Sequence, residues 1–492
     1  MEQVTCNMRV EEYVSYDATG LAALVNAGKV RPHELAQLAR EACNRINGQI
    51  NAVIEVYDDA ETVSGADEGV FHGVPFVRKD LGASERGRLQ ERGSRLYKGY
   101  RSETDSYFFQ RAQAAGLRTL GRTTTPEFGL AGVTESLLNG ITRNPWNLDV
   151  SAGGSSGGAA AAVAAGIVPI AHASDGGGSI RIPATFTNLV GFNPSRGRIS
   201  GGPDRQDSGG GMSRTFVLCR SVRDMAAALD VFSGTFPGDP FVIQQPEGPY
   251  LEELNLSTQK LRIGVALSKW GEQDLEPEIV SAVSRSAKLL EEMGHDVEEI
   301  APPFSHADYF ETYLGLELLG MSRLAAVAAS LEREIGPATL EPVSLEIYRA
   351  SQLRPLCDAA MTFDLIRKLR MDVAEATSRY DLLLTPVTPR VSMEHELHSQ
   401  TNSSYSLNSW VEIGVAGSMY TFIFNITGQP SVSLPLFQSD KGMPIGVQVV
   451  GRFGDEATLV RLSRDLEEAL PWGSRRPPIF AGTPSRIARH EG

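Results

Sequence analysis

The chain has 492 residues, of which 41% are hydrophobic and 22% charged, and a formal net charge of −14 at pH 7. Its length supplies a large core and by size alone allows more than one domain. The acidic balance excludes broad binding to nucleic acid or to an acidic membrane surface, which requires clustered Lys and Arg.

The N-terminal stretch MEQVTCNMRV has no basic-then-apolar targeting pattern. Two helices are predicted next, DATGLAALVNAG and RPHELAQLAREACNRIN, with Pro32 near the start of the second. NAVIEVY and GVPFVRKDLG read as strands, DSYFFQRAQAAG as a helix and LRTLGRT as a strand. AAAAVAAG suits a short, closely packed helix, and IVPIAHASD a buried strand. Together they form a weakly polar run broken by Gly and Pro, shorter than the ~20 residues of a membrane span. Residues 238–260 are polar and Pro-containing, as in a surface crossing. LRIGVAL is a strand, PEIVSAVSRSAKLLEEMG an amphipathic helix from Pro277 to Gly294, and HDVEEI a strand again. Residues 305–378 are mostly helical and aromatic-rich, either a cap over a site or a layer packed on the sheet. YDLLLTPVTP, PSVSLPL and GVQVVG are further core strands, and DEATLVRLSRDLEEAL is the last long helix. Strands and helices alternating in this way indicate an α/β fold.

Cys6, Cys43, Cys219 and Cys357 form no CxxC pair and lie at no metal-ligand spacing from histidine. Four reduced thiols in a cytoplasmic protein are expected. His395 and His398 in MEHELH are a weak metal candidate, and a polar loop is the expected reading.

The most informative segment is VSAGGSSGGAAAAVAAG. A P-loop requires GxxxxGK[ST], and here alanines follow the glycines. The dinucleotide fingerprint fails at Ser155. A flexible linker would not run directly into a buried helix and strand. A second cluster, SDGGGSIRIPA, places Ser179 after three glycines. Consecutive glycines let several N–H groups converge on one point, which beside a serine hydroxyl is the requirement of acyl transfer. A plain glycine-rich turn remains the alternative for this cluster taken alone.

A serine nucleophile needs a base. His172 lies seven residues before Ser179 on the same strand, too far at ~3.3 Å per residue, so a core role suits it. Lys79 ends an apolar strand in GVPFVRKDLG. Its pKa would have to fall from ~10.4 to ~7–8 for it to act as a base, a shift within the reach of burial. Asp80, next along the strand, points to the opposite face.

The ordered set GVPFVRKD, TTTPEFG, NPWNLDVSAGGSSGGAAAAVAAG, SDGGGSIRIPA and GFNPSRGRIS, with Ser155 and Ser179 24 positions apart, resembles the amidase signature family. The resemblance runs from about residue 17 to 472 and is weakest over 300–375. It implies one domain over 1–492, a large mixed twisted β-sheet flanked by helices on both faces. Residues 60–240 would carry the signature core, and 305–378 would shape the substrate entrance. It also implies Ser179 as nucleophile, Ser155 as bridging serine after a cis Gly154–Ser155 peptide, and Lys79 as base. Backbone N–H groups of Gly176, Gly177, Gly178 and Ser179 would form the oxyanion hole. Asp175 and Arg181 would pair to hold the loop, Ser156 would hydrogen-bond within the site, and Gly129, Leu130 and Ala131 would wall an acyl pocket. The chain departs from the family at Arg78, where apolar residues are common, at Gly176, where Thr is frequent, and at Asn193, where Lys is frequent.

RNPWNL, AHASD, FNITGQP, GMPIGVQVV and EEALPW resemble the family's 6-aminohexanoate cyclic dimer hydrolase subgroup. The expected activity is hydrolysis of a small-molecule amide or carbamate, without metal or organic cofactor, nucleic acid or membrane, in a monomer or a homodimer. The alternatives are the glutamine-hydrolysing A subunit of a tRNA-dependent amidotransferase and a catalytically silent scaffold.

Overall fold

Eleven short runs, most of them apolar, pair into one mixed sheet in the computed structural model, which describes residues 8–483. Cys6 lies outside these residues. The strands are β1 (Val53–Val56), β2 (Pro75–Lys79), β3 (Arg118–Thr123), β4 (Ile170–Asp175), β5 (Val190–Asn193) and β6 (Arg214–Cys219), followed by β7 (Arg262–Val265), β8 (Asp296–Glu299), β9 (Leu382–Pro386), β10 (Ser431–Gln438) and β11 (Pro444–Gly451). Their spatial order is β1-β3-β2-β4-β6-β5-β10-β11-β9-β7-β8. β2 runs parallel to both β3 and β4, with Val77 level with Ala171. β4 and β6 are antiparallel.

Helices cover both faces. The labelled ones are α1 (Pro32–Ile50), α2 (Gly157–Ala164), α3 (Arg181–Thr187), α4 (Val222–Phe232), α5 (Pro277–Glu292), α6 (His306–Ser322), α7 (Leu407–Thr427) and α8 (Glu456–Ala469). Leu382 and Leu384 of β9 join one core with α1, α2, α4, α5 and α8. Leu383, between them, joins a second core with α6 and α7 on the other face, as the two-residue period of a strand requires.

Local chemistry sets the helix ends. α1 begins at Pro32, and the Glu34 carboxylate accepts the Arg31 N–H at 2.7 Å. α5 buries Ile279, Ala282, Val283, Ser286, Ala287 and Leu290 at three- and four-residue spacing. All eight residues of α2 are buried, and all are Gly, Ala or Val. Small side chains let this helix sit directly on the strands that carry the site: a Cβ on Gly158 would lie 2.2 Å from Thr124 Oγ1 and 2.6 Å from the Thr124 nitrogen.

Residues 305–378 form four helices, His306–Ser322, Leu324–Ser330, Pro342–Ser351 and Leu356–Thr377. Residues 238–260 are irregular apart from the single turn Tyr250–Glu253. β5, β6, α3, α4 and α7 are additions to the predicted elements. α7 is buried on nearly all sides from Gly414 to Ile426, so it has no apolar stripe to reveal it.

Gly158→Ala is expected to lower the unfolding free energy by about 1–3 kcal/mol through overpacking. Gly48→Ala, in the last turn of α1 with open space around its Cβ, is expected to raise it by about 0.5–1 kcal/mol. Urea denaturation at unchanged m-value measures both, and equal effects would contradict the packing described.

Candidate active site

Lys79 is the last residue of β2 and is fully buried. Its Nζ lies 2.7 Å from Ser155 Oγ, 2.9 Å from Ser156 Oγ and 3.1 Å from Ser174 Oγ. No carboxylate among the described residues touches it. Burial therefore pushes the amine down to about 7, and the nearby negative charge of Asp175 opposes the shift only weakly. Hydroxyls can donate or accept, so this triplet can satisfy either the ammonium or the neutral amine.

The residues flanking Lys79 face away from it. Arg78 Nε donates to the Tyr57 hydroxyl at 2.8 Å, with Glu85 at 3.9 Å. Asp80 pairs with Arg122 at 3.1 Å and accepts the Glu91 N–H at 2.9 Å. The Arg78 departure thus leaves the amine untouched. His172 is a core residue. Its Nδ1 accepts the Lys79 backbone N–H at 3.1 Å, its ring packs against Phe108 and Phe109, and burial holds it neutral.

Ser155 sits in a loop whose glycines are sterically required. The Gly154–Ser155 peptide is cis. A Cβ on Gly154 would lie 2.7 Å from the carbonyls of both Ala131 and Val133, and Gly153 has φ +82°. Thr125 Oγ1 donates to the Ser155 carbonyl at 3.0 Å. Ser156 N–H donates to the Ser179 carbonyl at 3.3 Å, which ties the two serine loops together. Ser155 is nearly closed to solvent, whereas Ser179, Gly176 and Gly177 are half-buried and open to an incoming group.

The loop bearing Ser179 is shaped by Asp175. Its Oδ1 accepts the Gly178 N–H at 2.7 Å, and its Oδ2 accepts the Ile180 N–H at 3.1 Å. This corrects the four-donor expectation: the Gly178 N–H is already taken, which leaves Gly176, Gly177 and Ser179 without a protein acceptor among the described residues. Arg181 grips Asp175 with two bonds, Nε to Oδ2 at 3.0 Å and Nη2 to Oδ1 at 2.9 Å. Burial alone would raise the Asp175 pKa, but the adjacent guanidinium overrides it and holds the carboxyl well below the usual range. Both residues are fully buried.

α7 supplies the buttress that the sequence reading did not identify. Thr421 Oγ1 donates to the Gly177 carbonyl at 2.7 Å, and the Thr421 carbonyl accepts from Arg181 at 2.8 Å. Asn425 Nδ2 donates to the Asp175 carbonyl and Oδ1, both at 3.0 Å. A Cβ on Gly178, whose φ is +130°, would lie 2.4 Å from Thr421 Oγ1. At Gly176 the nearest atoms to such a Cβ are 3.9 Å away, so a larger residue would fit there. Asn193 is buried with its amide unpartnered among the described residues, and nothing in the structure explains it.

Gly129 lies beside the site: a Cβ there would come 3.1 Å from Ser155 Oγ. Ala131 meets Gly154 through its carbonyl, and Leu130 is half-buried against the second core. His395 Nε2 donates to the Leu148 carbonyl at 3.1 Å, with Glu135 3.3 Å from its Nδ1. His398 Nδ1 accepts the Gly132 N–H at 3.0 Å, so the two histidines have separate partners.

The family model for amidase matches residues 34–460. The chain is 37% identical over 483 residues to a 6-aminohexanoate-cyclic-dimer hydrolase of Paenarthrobacter ureafaciens, covering 96% of this chain and 97% of that protein. The solved structure of 6-aminohexanoate cyclic dimer hydrolase complexed with substrate matches with a TM-score of 0.90 and 35% identity, covering 95% of this chain and 99% of that one. Identity to the A subunit of glutamyl-tRNA(Gln) amidotransferase from Pseudomonas fluorescens is 30%, covering 92% of this chain and 97% of that protein.

Arg181→Met leaves Asp175 as an unpaired buried charge and is expected to cost about 3–5 kcal/mol of stability. Arg181→Lys should recover only part, because an ammonium cannot reproduce the two-pronged grip. A loss below about 1 kcal/mol in chemical denaturation would contradict the role of this pair.

Proposed function

The chain belongs to the amidase family, and we propose that it hydrolyses the C–N bond of a small-molecule amide through an acyl-enzyme on Ser179. The observation that carries this reading is the Lys79 amine, buried without a counter-ion 2.7 Å from Ser155 Oγ. A carboxylate partner would keep Lys79 charged and useless as a base. Without one, the neutral amine is accessible near neutral pH.

In this reading Ser179 Oγ attacks the substrate carbonyl while its proton passes to Ser155, and the Ser155 proton passes to Lys79. The N–H groups of Gly176, Gly177 and Ser179 receive the developing oxyanion. As the tetrahedral intermediate collapses, the C–N bond breaks and the proton returns through Ser155 to the departing amine. Water then attacks the ester with the same relay running again, releasing the acid and restoring Ser179. Ser156, bonded to both Lys79 and the Ser174 carbonyl at 3.2 Å, positions the amine. Asp175 and Arg181 position the loop.

Gly129, Leu130 and Ala131 would wall the acyl side, and the helices of 305–378 would shape the entrance to a single domain. Greater identity to the cyclic-dimer hydrolase than to the amidotransferase protein supports cyclic and linear aliphatic amides over glutamine. Carbamates present the same carbonyl and leaving nitrogen. The reading needs no metal, organic cofactor, nucleic acid or partner protein, since Lys79 supplies the base and backbone N–H groups stabilise the oxyanion, and it accommodates a monomer or a homodimer. Free Cys43, Cys219 and Cys357 suit a cytoplasmic enzyme. Among the described residues, no helix is long and apolar enough to cross a membrane.

Amine release should be measured from cyclic and linear 6-aminohexanoate oligomers, anilides, carbamates and glutamine. Ser179→Ala is expected to abolish release and acyl-enzyme formation by mass spectrometry. Release confined to glutamine would favour the amidotransferase reading. Since the neutral amine is the active form, kcat/KM should rise with pH through about 7 and then level. Lys79→Met should remove that limb and lower kcat/KM by about 10²–10⁴-fold. Near-normal rates at neutral pH in Lys79→Met would overturn the assignment.

A further inference from the structure

The segment between β5 and β6 lies at the end of the sheet that carries the Ser179 loop. Arg214, the first residue of β6, stands level with Asp175. A Cβ on Gly176 would lie 3.9 Å from Ser213 Oγ, and one on Gly82, shortly after β2, 3.4 Å from Ser174 Oγ. Gly82, Ser213 and Arg214 also line a cavity of about 50 Å³, together with Arg196 and Arg205. One water takes ~10–15 Å³ on this scale, so the cavity admits a group of a few heavy atoms. Phe241 closes one side, where a Cβ on Gly211 would collide with its ring.

Three arginines line this cavity, and none is paired with a carboxylate among the described residues. Arg196 donates to the carbonyls of Gly211, Asn425 and Ile426 at 2.8, 2.7 and 2.9 Å. Arg214, 6% exposed, donates to the Asn425 carbonyl at 3.1 Å, while its Nε is buried with no partner among the described residues. These carbonyls end α7 and together carry only about half a negative charge, which Arg370 shares through a 2.8 Å bond to Ile426. Arg205 is half-buried, and no side-chain hydrogen bond among the described residues holds it.

The positive charge is therefore in excess. Burial, helped by the charge of Arg370, lowers the Arg196 pKa to about 10, and burial with Arg92 does the same to Arg205. Arg214 is lowered by burial and then by Arg196. All three remain protonated at neutral pH, because a guanidinium does not lose its proton there. The carboxylates that line the cavity are engaged elsewhere. Asp204 accepts from the Thr104 hydroxyl, and Asp239 accepts the Ser200 hydroxyl and the Phe236 N–H, both at 2.7 Å.

We propose that this cavity binds a carboxylate group, with Arg205 as its principal counter-ion. A guanidinium offers a carboxylate two parallel N–H donors, and the cavity matches a group of that size. The carboxylate has two sources of the same chemistry, the tail of an amide substrate and a free small acid. The site rests on the arginines and goes beyond the reading of Ser179.

The test is calorimetric titration of acetate and of acetone into the full-length protein at about pH 7, in carboxylate-free buffer at constant ionic strength. Acetate is ionised there, and acetone has its size without its charge. Acetate is expected to bind at least about tenfold more tightly, equivalent to ~1.4 kcal/mol. Arg205→Met should remove that preference. Arg205→Lys should recover part of it, since an ammonium keeps the charge but lacks the planar fork. Amide hydrolysis in the presence of acetate separates the sources. Competitive inhibition that Arg205→Met relieves identifies the substrate tail, and any other pattern identifies a free acid. Equal binding of acetate and acetone by the unaltered protein, or a preference retained in Arg205→Met, would overturn the site. The first of these decides the matter even if the methionine variant does not fold. Binding needs no turnover, so loss of hydrolysis on every amide would count against the Ser179 reading alone.

Discussion

The structure is organised around one desolvated amine. Lys79 sits at the end of a central strand with three serine hydroxyls and, among the described residues, no carboxylate within reach. Its folded pKa of about 7 lies below the 10.5 of an exposed lysine. The unfolded chain therefore binds the extra proton across that window. Burying the amine costs on the order of 5 kcal/mol below pH about 7, and the cost fades as pH rises toward 10.5. The rest of the fold must supply this, and it does so by packing. β2 has β3 and β4 on either side, and α2, built of Gly, Ala and Val, lies directly on them.

Strand alternation keeps the amine isolated. Arg78 and Asp80 flank Lys79 in sequence, yet both find partners on the opposite face. Asp175 is the negative charge close enough to matter, and Arg181 grips it. That pair organises the Ser179 loop while limiting how far Asp175 can restore the charge of Lys79. α7 completes the arrangement, since Thr421 and Asn425 hold the loop from outside the sheet. The same few hydrogen bonds thus hold both the loops and the surroundings of Lys79.

Most of the sheet was legible in the sequence, because runs such as GVPFVRKD and IVPIAHASD are apolar and end at glycine or a charge. The site was legible through glycine placement and the family resemblance, and the environment of Lys79 followed from its position at the end of a buried strand. α7 escaped notice because a helix buried all round has no periodicity to show. β5 has four residues, and both β5 and β6 lie beside the loop motifs that dominate that region. The occupied Gly178 N–H could not be foreseen. Three consecutive glycines look equivalent in sequence, and only the direction of the Asp175 side chain separates them.

The central claim is that Lys79 is a neutral amine at the pH of catalysis. The direct measurement is NMR titration of the lysine side chains in protein labelled with ¹³C at Cε and ¹⁵N at Nζ, with Lys79→Met identifying the resonance. The account predicts that this one lysine titrates with a midpoint near about 7. A Lys79 signal that keeps ammonium shifts up to pH ~10 would contradict it.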